Sequence, residues 1–214
     1  MPLPAQLKDL WDFLEQEVLW LHARWQILRQ IYDTNPERIN LINEASPTFF
    51  ALLRPILLND IQLTLSKLAD PAATSGRSNL TLEAFLAAIT NLPDPSLVST
   101  LQPLLKNYQN ACSSIKVRRN KDIAHFDLAT QLKVTSFPAP SRNEIESALC
   151  SLRAFLDPIN RQFLNTQVLY DRFPLHDDAE LLLFVLKKGL RYDELQKDGA
   201  ISEIDIVQSR YWGI

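Results

Sequence analysis

The sequence predicts an all-α protein, a helical bundle with a C-terminal helical extension, and three observations lead there. The 214-residue chain carries only 4 glycines. Its apolar residues recur at three- and four-residue steps, the spacing of amphipathic helices. No segment sustains the period-two alternation of β-branched residues that marks a strand. Strands are needed nowhere, and five to seven helices are expected, separated by proline and glycine clusters.

The first helix is expected over residues 5–32, with Leu10, Phe13, Leu14, Val18, Leu21, Trp25 and Leu28 on its inward face. His22 and Arg24 lie beside that face, where a partly buried histidine bonded to a neighbour is the simplest reading. Pro36 opens a short helix to residue 43. Ser46 and Pro47 supply an N-cap and a first-turn proline for a long helix to Leu68. Pro55 lies inside it and predicts a kink or break over residues 52–55, because proline removes a helix hydrogen bond and crowds the preceding turn. Residues 69–79, with Pro71 and Gly76, read as a surface loop. Thr81 caps a helix through Leu92, and Asp94-Pro95 restarts the chain.

Pro103 suits the first turn of a helix running to about Phe126. Residues 134–140 form a loop, since proline disfavours helical geometry in the residue before it. Ser141 and Glu144 make a capping box, followed by Ile145, Ala148, Leu149, Leu152, Phe155 and Leu156 at helical steps, with a bend at Pro158. The last helix is expected over residues 178–188, capped by Asp177 and closed by Lys187, Lys188 and Gly189 in accord with the helix dipole. Residues 1–170 therefore read as a helical domain. Residues 171–214 read as a C-terminal helix and tail, with Tyr211-Trp212, packing on the domain or on a partner.

Along the helix whose first turn holds Pro103, Leu101, Leu104, Tyr108, Ala111, Cys112 and Ile115 mark an apolar face. At about 100° per residue that face continues through Arg119, Asp122 and Phe126, with His125 at its margin. A core stripe has become charged. Either Arg119 and Asp122 pair one turn apart while His125 donates to a carbonyl, or the stripe opens onto a cleft. There a fixed cation and a side chain titrating near neutrality could work on a phosphate.

The string Arg119-Asn120-Lys121-Asp122-Ile123-Ala124-His125 resembles the signature of the HEPN superfamily, an Arg and a polar residue followed at short spacing by a His. With Asp127 it is similar to the abortive-infection, AbiU-type branch. So are Leu21-His22-Ala23-Arg24-Trp25-Gln26, Asn59-Asp60-Ile61, Leu65-Ser66-Lys67-Leu68-Ala69-Asp70-Pro71 and Asn79-Leu80-Thr81-Leu82-Glu83, so that the resemblance spans most of residues 15–170.

Composition narrows the options. A net charge of −3 and a pI near 5.6 argue against a broadly basic nucleic-acid coat, so any phosphate contact must be local. Lys116, Arg118, Arg119 and Lys121 are such a cluster, or else a solvated basic turn. Cys112 and Cys150 fall among helical apolar positions and read as small core residues in a reducing compartment. No cysteines are spaced for zinc, and His22, His125 and His176 are isolated from one another. Asp177 as a helix cap explains His176-Asp177-Asp178 without a metal. Neither metal nor cofactor is expected. Met1-Pro2-Leu3-Pro4 does not start a signal segment, and no apolar run approaches the ~20 residues that span a bilayer. A cytoplasmic protein without membrane contact is expected.

The resemblance implies a HEPN-like bundle and a metal-independent endoribonuclease that dimerises so that the Arg and His of two subunits line one cleft. On that carry-over His125 is the acid/base, Arg119 the phosphate clamp and Asn120 an orienting group. Arg118, Lys121 and Asp122 support them, Lys121 beside His125 or a phosphate and Asp122 holding Arg119. The substrate is RNA and the partner a second copy, with an antitoxin or regulatory protein as a further partner. Phage defence or a toxin–antitoxin pair is the implied setting. The alternatives are a non-catalytic HEPN-like module binding RNA, nucleotide or a partner protein, and a helical adaptor whose groove accepts another helix.

Overall fold

The computed structural model describes residues 3–33, 35–90, 95–123, 139–172 and 174–201. Among these, eight α-helices follow one another: α1 (Ala5–Tyr32), α2 (Pro36–Ala45), α3 (Pro47–Leu68), α4 (Leu82–Ile89), α5 (Ser96–Ala111), α6 (Ser113–Arg118), α7 (Arg142–Ile159) and α8 (Ala179–Lys197). The all-α expectation holds. The helix number exceeds the expected range because the segment around Cys112 is two helices, with Cys112 as the turn between α5 and α6.

One exception to the helical rule lies between α3 and α4. Ala73–Thr74 and Arg77–Ser78 pair as a two-residue antiparallel ribbon, where only a loop was expected. Ser75 and Gly76 both take positive φ, 51° and 76°, which is the geometry of a type I′ turn whose twist matches paired strands.

The prolines do less than their chemistry suggested. Of the kink or break expected over residues 52–55, the break is absent, for α3 runs as one helix through Pro55. Ala51, whose carbonyl loses its partner, is exposed, so water can replace the missing N–H. Likewise α5 starts at Ser96 and carries Pro103 in its interior. The deprived carbonyl there belongs to Ser99, also exposed.

Local caps explain most boundaries. Thr81 accepts from the Ala84 amide and starts α4, while Leu92 and Asp94 lie outside the described residues. Ser141 and Glu144 form the reciprocal capping box of α7, and the bonds from Ser141 and Ser114 hold the Glu144 carboxyl below its ordinary pKa. At α8 the cap is Asp178, with its side chain accepting from Glu180. Asp177 instead sits in the left-handed region at φ 59°. The expected stop at Gly189 is passed, because an interior glycine costs only about 1 kcal/mol. Closure comes at Gly199 (φ 72°), where the Gly199 amide donates to the Gln196 carbonyl and the Ala200 amide to Leu195. This is the Schellman pattern.

The chain forms two compact units. The first uses the described residues of Met1–Trp25 and Ile56–Pro174. Trp11 packs against Phe85 with ring centres 5.4 Å apart, and Leu14, Val18, Leu21, Ile61, Leu65, Leu101, Leu149, Leu152 and Phe155 are buried around them. α5 lies along α7. Tyr108 is fully buried and donates to the Leu65 carbonyl at 2.7 Å, which ties α5 to the end of α3. Trp25 donates to Glu146 at 3.0 Å and Arg24 to Asp60 at 2.5 Å. Phe13, expected inward, is exposed.

The second unit uses the described residues of Gln26–Pro55 and Leu175–Ile214. Its core is Ile31, Ile42, Phe50, Ala179 and Leu183. Arg38 grips Glu180 through two nitrogens at 2.7 and 2.8 Å and also donates to the Gln30 carbonyl. Among the described residues no helix is long and apolar enough to cross a membrane.

Candidate functional site

The site begins with the way α3 ends. The Ala69 amide still closes a helical bond to Leu65, the Asp70 amide closes a tighter one to Lys67, and Pro71 then prevents a further turn. The Asp70 side chain is thereby fixed at the helix terminus, facing α6. Lys116 reaches it at 3.0 Å from Oδ1, and Arg119 Nη1 lies 2.6 Å from Oδ2. Each carboxylate oxygen holds one cation. Lys116 also donates to the Ala69 carbonyl at 3.3 Å.

Arg119 is held from a second side. Its Nε donates to Asn120 Oδ1 at 2.9 Å, which leaves Nη2 as the guanidinium nitrogen with no bond inside the described residues. The side chain is 17% exposed. Asn120 is thus a hydrogen-bond partner of Arg119, its neighbour in sequence.

The expected Arg119–Asp122 pair is a different pair. Asp122 accepts from Arg118 Nε and Nη2, both at 3.3 Å, while Arg119 turns to Asp70. Helix pitch explains the exchange. Arg119–Ile123 form a π-turn, with hydrogen bonds to the fifth residue instead of the fourth. An extrapolation at the α-helical angle loses its phase where that turn begins. Lys121 is exposed. Arg118 Nη1 is buried without a hydrogen bond.

His125, together with Ala124, Phe126 and Asp127, lies outside the described residues, as do most of the loop expected over residues 134–140 and the aromatic tail Tyr211-Trp212. The described site is thus Asp70, Lys116, Arg118, Arg119, Asn120 and Asp122. Sequence reasoning missed Asp70 and gave Lys116 no specific role. The available signal was an acid between the apolar end of a long helix and a proline, within a stretch that already carried the family resemblance.

Other titrating groups in the first unit are set by burial. His22 donates from Nδ1 to the Val18 carbonyl at 2.8 Å, and Nε2 accepts from Arg153 at 3.2 Å. Burial pushes its pKa down to about 4, so the ring is held neutral near pH 7. Tyr170 stacks beside it with ring centres 5.8 Å apart and accepts from Asn160, its own pKa raised to about 12 by burial. The Cys112 thiol is buried and raised to about 11. Cys150, expected in the core, is exposed, because it falls on the outer side of the α7 stripe formed by Leu149 and Leu152. Among the described residues no three His, Cys, Asp or Glu side chains gather as a metal site.

A sequence model of a family described as HEPN_AbiU2, AbiU2, matches residues 5–182. No curated protein and no solved structure matches the chain.

Proposed function

The chain belongs to the HEPN_AbiU2 family, and on that premise we propose that it is a metal-independent endoribonuclease. The observation that carries this reading is the pair of cations on Asp70, with Arg119 fixed from two sides next to Lys116. RNA brings its own nucleophile, the ribose 2′-hydroxyl. Attack on the adjacent phosphorus needs a base for the hydroxyl proton, an acid for the departing 5′-oxygen, and a positive group for the charge accumulating on the phosphoryl oxygens. His125 takes the acid/base role and Arg119 the charge-stabilising one, with Asn120 keeping the guanidinium in place. Lys121 and Arg118 add local positive charge, and Asp122 holds Arg118.

One histidine per motif supplies one proton-transfer group, and a two-fold dimer supplies two. A homodimer acting in the cytoplasm, in phage defence or beside an antitoxin, is the setting that family membership suggests. The direct test is cleavage of single-stranded or loop RNA in EDTA, giving 2′,3′-cyclic phosphate ends while DNA survives. His125→Ala should slow it by about 10²- to 10⁴-fold, the usual share of a positioned acid/base.

A second reading has a specific observation behind it. Arg119 is already neutralised by Asp70 and mostly buried, which suits a non-catalytic module binding RNA, nucleotide or a partner protein. Tight RNA binding without any cut, unchanged in His125→Ala, would select that reading.

A further inference from the structure

Asp70 has a second face. Its residue also lines a pocket of about 480 Å³ in the first unit, a size typical of small-molecule sites, which run from about 300 to 1,000 Å³. Three segments wall it: Phe13 and Glu17 from α1, Lys67 from the last turn of α3 with Asp70 just beyond it, and Asn79 and Leu80 from the segment leading into α4.

The chemistry of the walls is divided. Phe13 and Leu80 are large apolar side chains left 45% and 44% exposed. Asn79 is fixed by its own amide, which donates to the Pro71 carbonyl at 2.9 Å and to Thr74 at 2.8 Å, so its Oδ1 is available as an acceptor. Glu17 and Asp70 would repel a phosphate inside the pocket. Lys67 is exposed and forms no ion pair within the described residues. An uncharged flat ring with donor groups fits the interior, and a phosphate fits only at the Lys67 edge. Arg119 stands across the Asp70 carboxylate, 2.6 Å from its oxygen.

We propose that this pocket seats the base of one RNA nucleotide beside the phosphate that Arg119 contacts, with the ring against Phe13 and Lys67 on the neighbouring phosphate. This rests on the reading of the motif as an RNA-contacting site and adds a subsite to it. The acceptors Asn79 Oδ1 and Glu17 favour a base with an exocyclic amino group over uracil.

The test uses the full chain and a fluorescent RNA oligonucleotide made uncleavable by 2′-O-methylation, followed by fluorescence anisotropy, alongside cleavage of the unmodified RNA. Phe13 is half exposed, so Phe13→Ala should fold as the wild type does. It should raise Kd by about 5- to 150-fold, the effect of removing one base–aromatic stack, and raise KM with little change in kcat. Lys67→Gln should reduce the slope of log Kd against log salt by about 0.7, the loss of one phosphate contact on a single strand. If wild-type protein binds and cuts RNA while Phe13→Ala keeps its affinity and Lys67→Gln keeps its salt slope, the pocket is no subsite, and the endoribonuclease reading stands without it. Wild-type protein that neither binds nor cuts RNA overturns both.

Discussion

Asp70 should be the residue whose loss most disturbs the motif, although it lies 49 positions from Arg119 in sequence. Asp70→Asn keeps the shape and one acceptor oxygen but removes the charge that two cations share. Hydrogen bonds to charged groups contribute about 1.5–3 kcal/mol when buried, and exposed ion pairs only about 0.2–1 kcal/mol. The partners here are 17% and 28% exposed and Asp70 is 23% exposed, so each contact falls between those limits. Asp70→Asn should therefore cost about 1–2 kcal/mol, and Asp70→Ala about 2–4 kcal/mol. Urea denaturation followed by circular dichroism reads these as lowered midpoints at unchanged slope. A double-mutant cycle with Arg119→Gln isolates the pair, and its coupling should be at least about 0.5 kcal/mol, as for residues in one network. Additive effects, or a wild-type midpoint for Asp70→Ala, would refute the claim that this carboxylate anchors Arg119.

The buried His22 makes stability depend on pH. Its folded pKa, about 4, is below the ordinary 6.5, so the unfolded chain binds the proton more readily and stability falls as pH drops from 6.5 towards 4. At about 1.4 kcal/mol per unit the loss approaches 3 kcal/mol, and His22→Gln should flatten that part of a denaturation-versus-pH curve. The glycines inside α8 and just after its end should respond in opposite directions. Gly189 has open space around its Cα, so Gly189→Ala should stabilise by about 0.5–1 kcal/mol, whereas Gly199→Ala, at φ 72°, should destabilise by about 1–2 kcal/mol, both visible as shifts in Tm. Light scattering should give a dimer at micromolar concentration. A monomer with undiminished RNA cleavage would exclude a site composed from two subunits.

The helices were legible because burial repeats at their period, as Ile145, Leu149, Leu152 and Leu156 show on α7. Caps were legible where one side chain supplies the missing acceptor, as at Ser141 and Thr81. Pro55 and Pro103 do not end their helices because the carbonyl each deprives belongs to an exposed residue, and exposure is a tertiary property; Gly189 is passed because its entropic cost is only about 1 kcal/mol. The candidate site was legible as a patch of residue types and not as a set of partners. Arg119 meets Asp70 at the end of α3, while Asp122, inside the π-turn, pairs with Arg118, and neither the turn nor the approach of α3 is set by a local period. Phe13 faces outward for the same reason: period places it near the core stripe, and only packing decides which edge of that stripe is covered.

The double grip on Arg119 also sets how it can meet a ligand. An arginine free in solvent gives up about 2 kcal/mol of rotamer freedom when it is immobilised, and here folding has already incurred that loss through Asp70 and Asn120. A phosphate arriving at Nη2 orders nothing further in the side chain. The same arrangement closes the side-on Nε/Nη2 fork by which arginine grips an anion, since the Nε–H is engaged by Asn120. An anion would therefore be met from the Nη2 end of the guanidinium and not along its Nε edge.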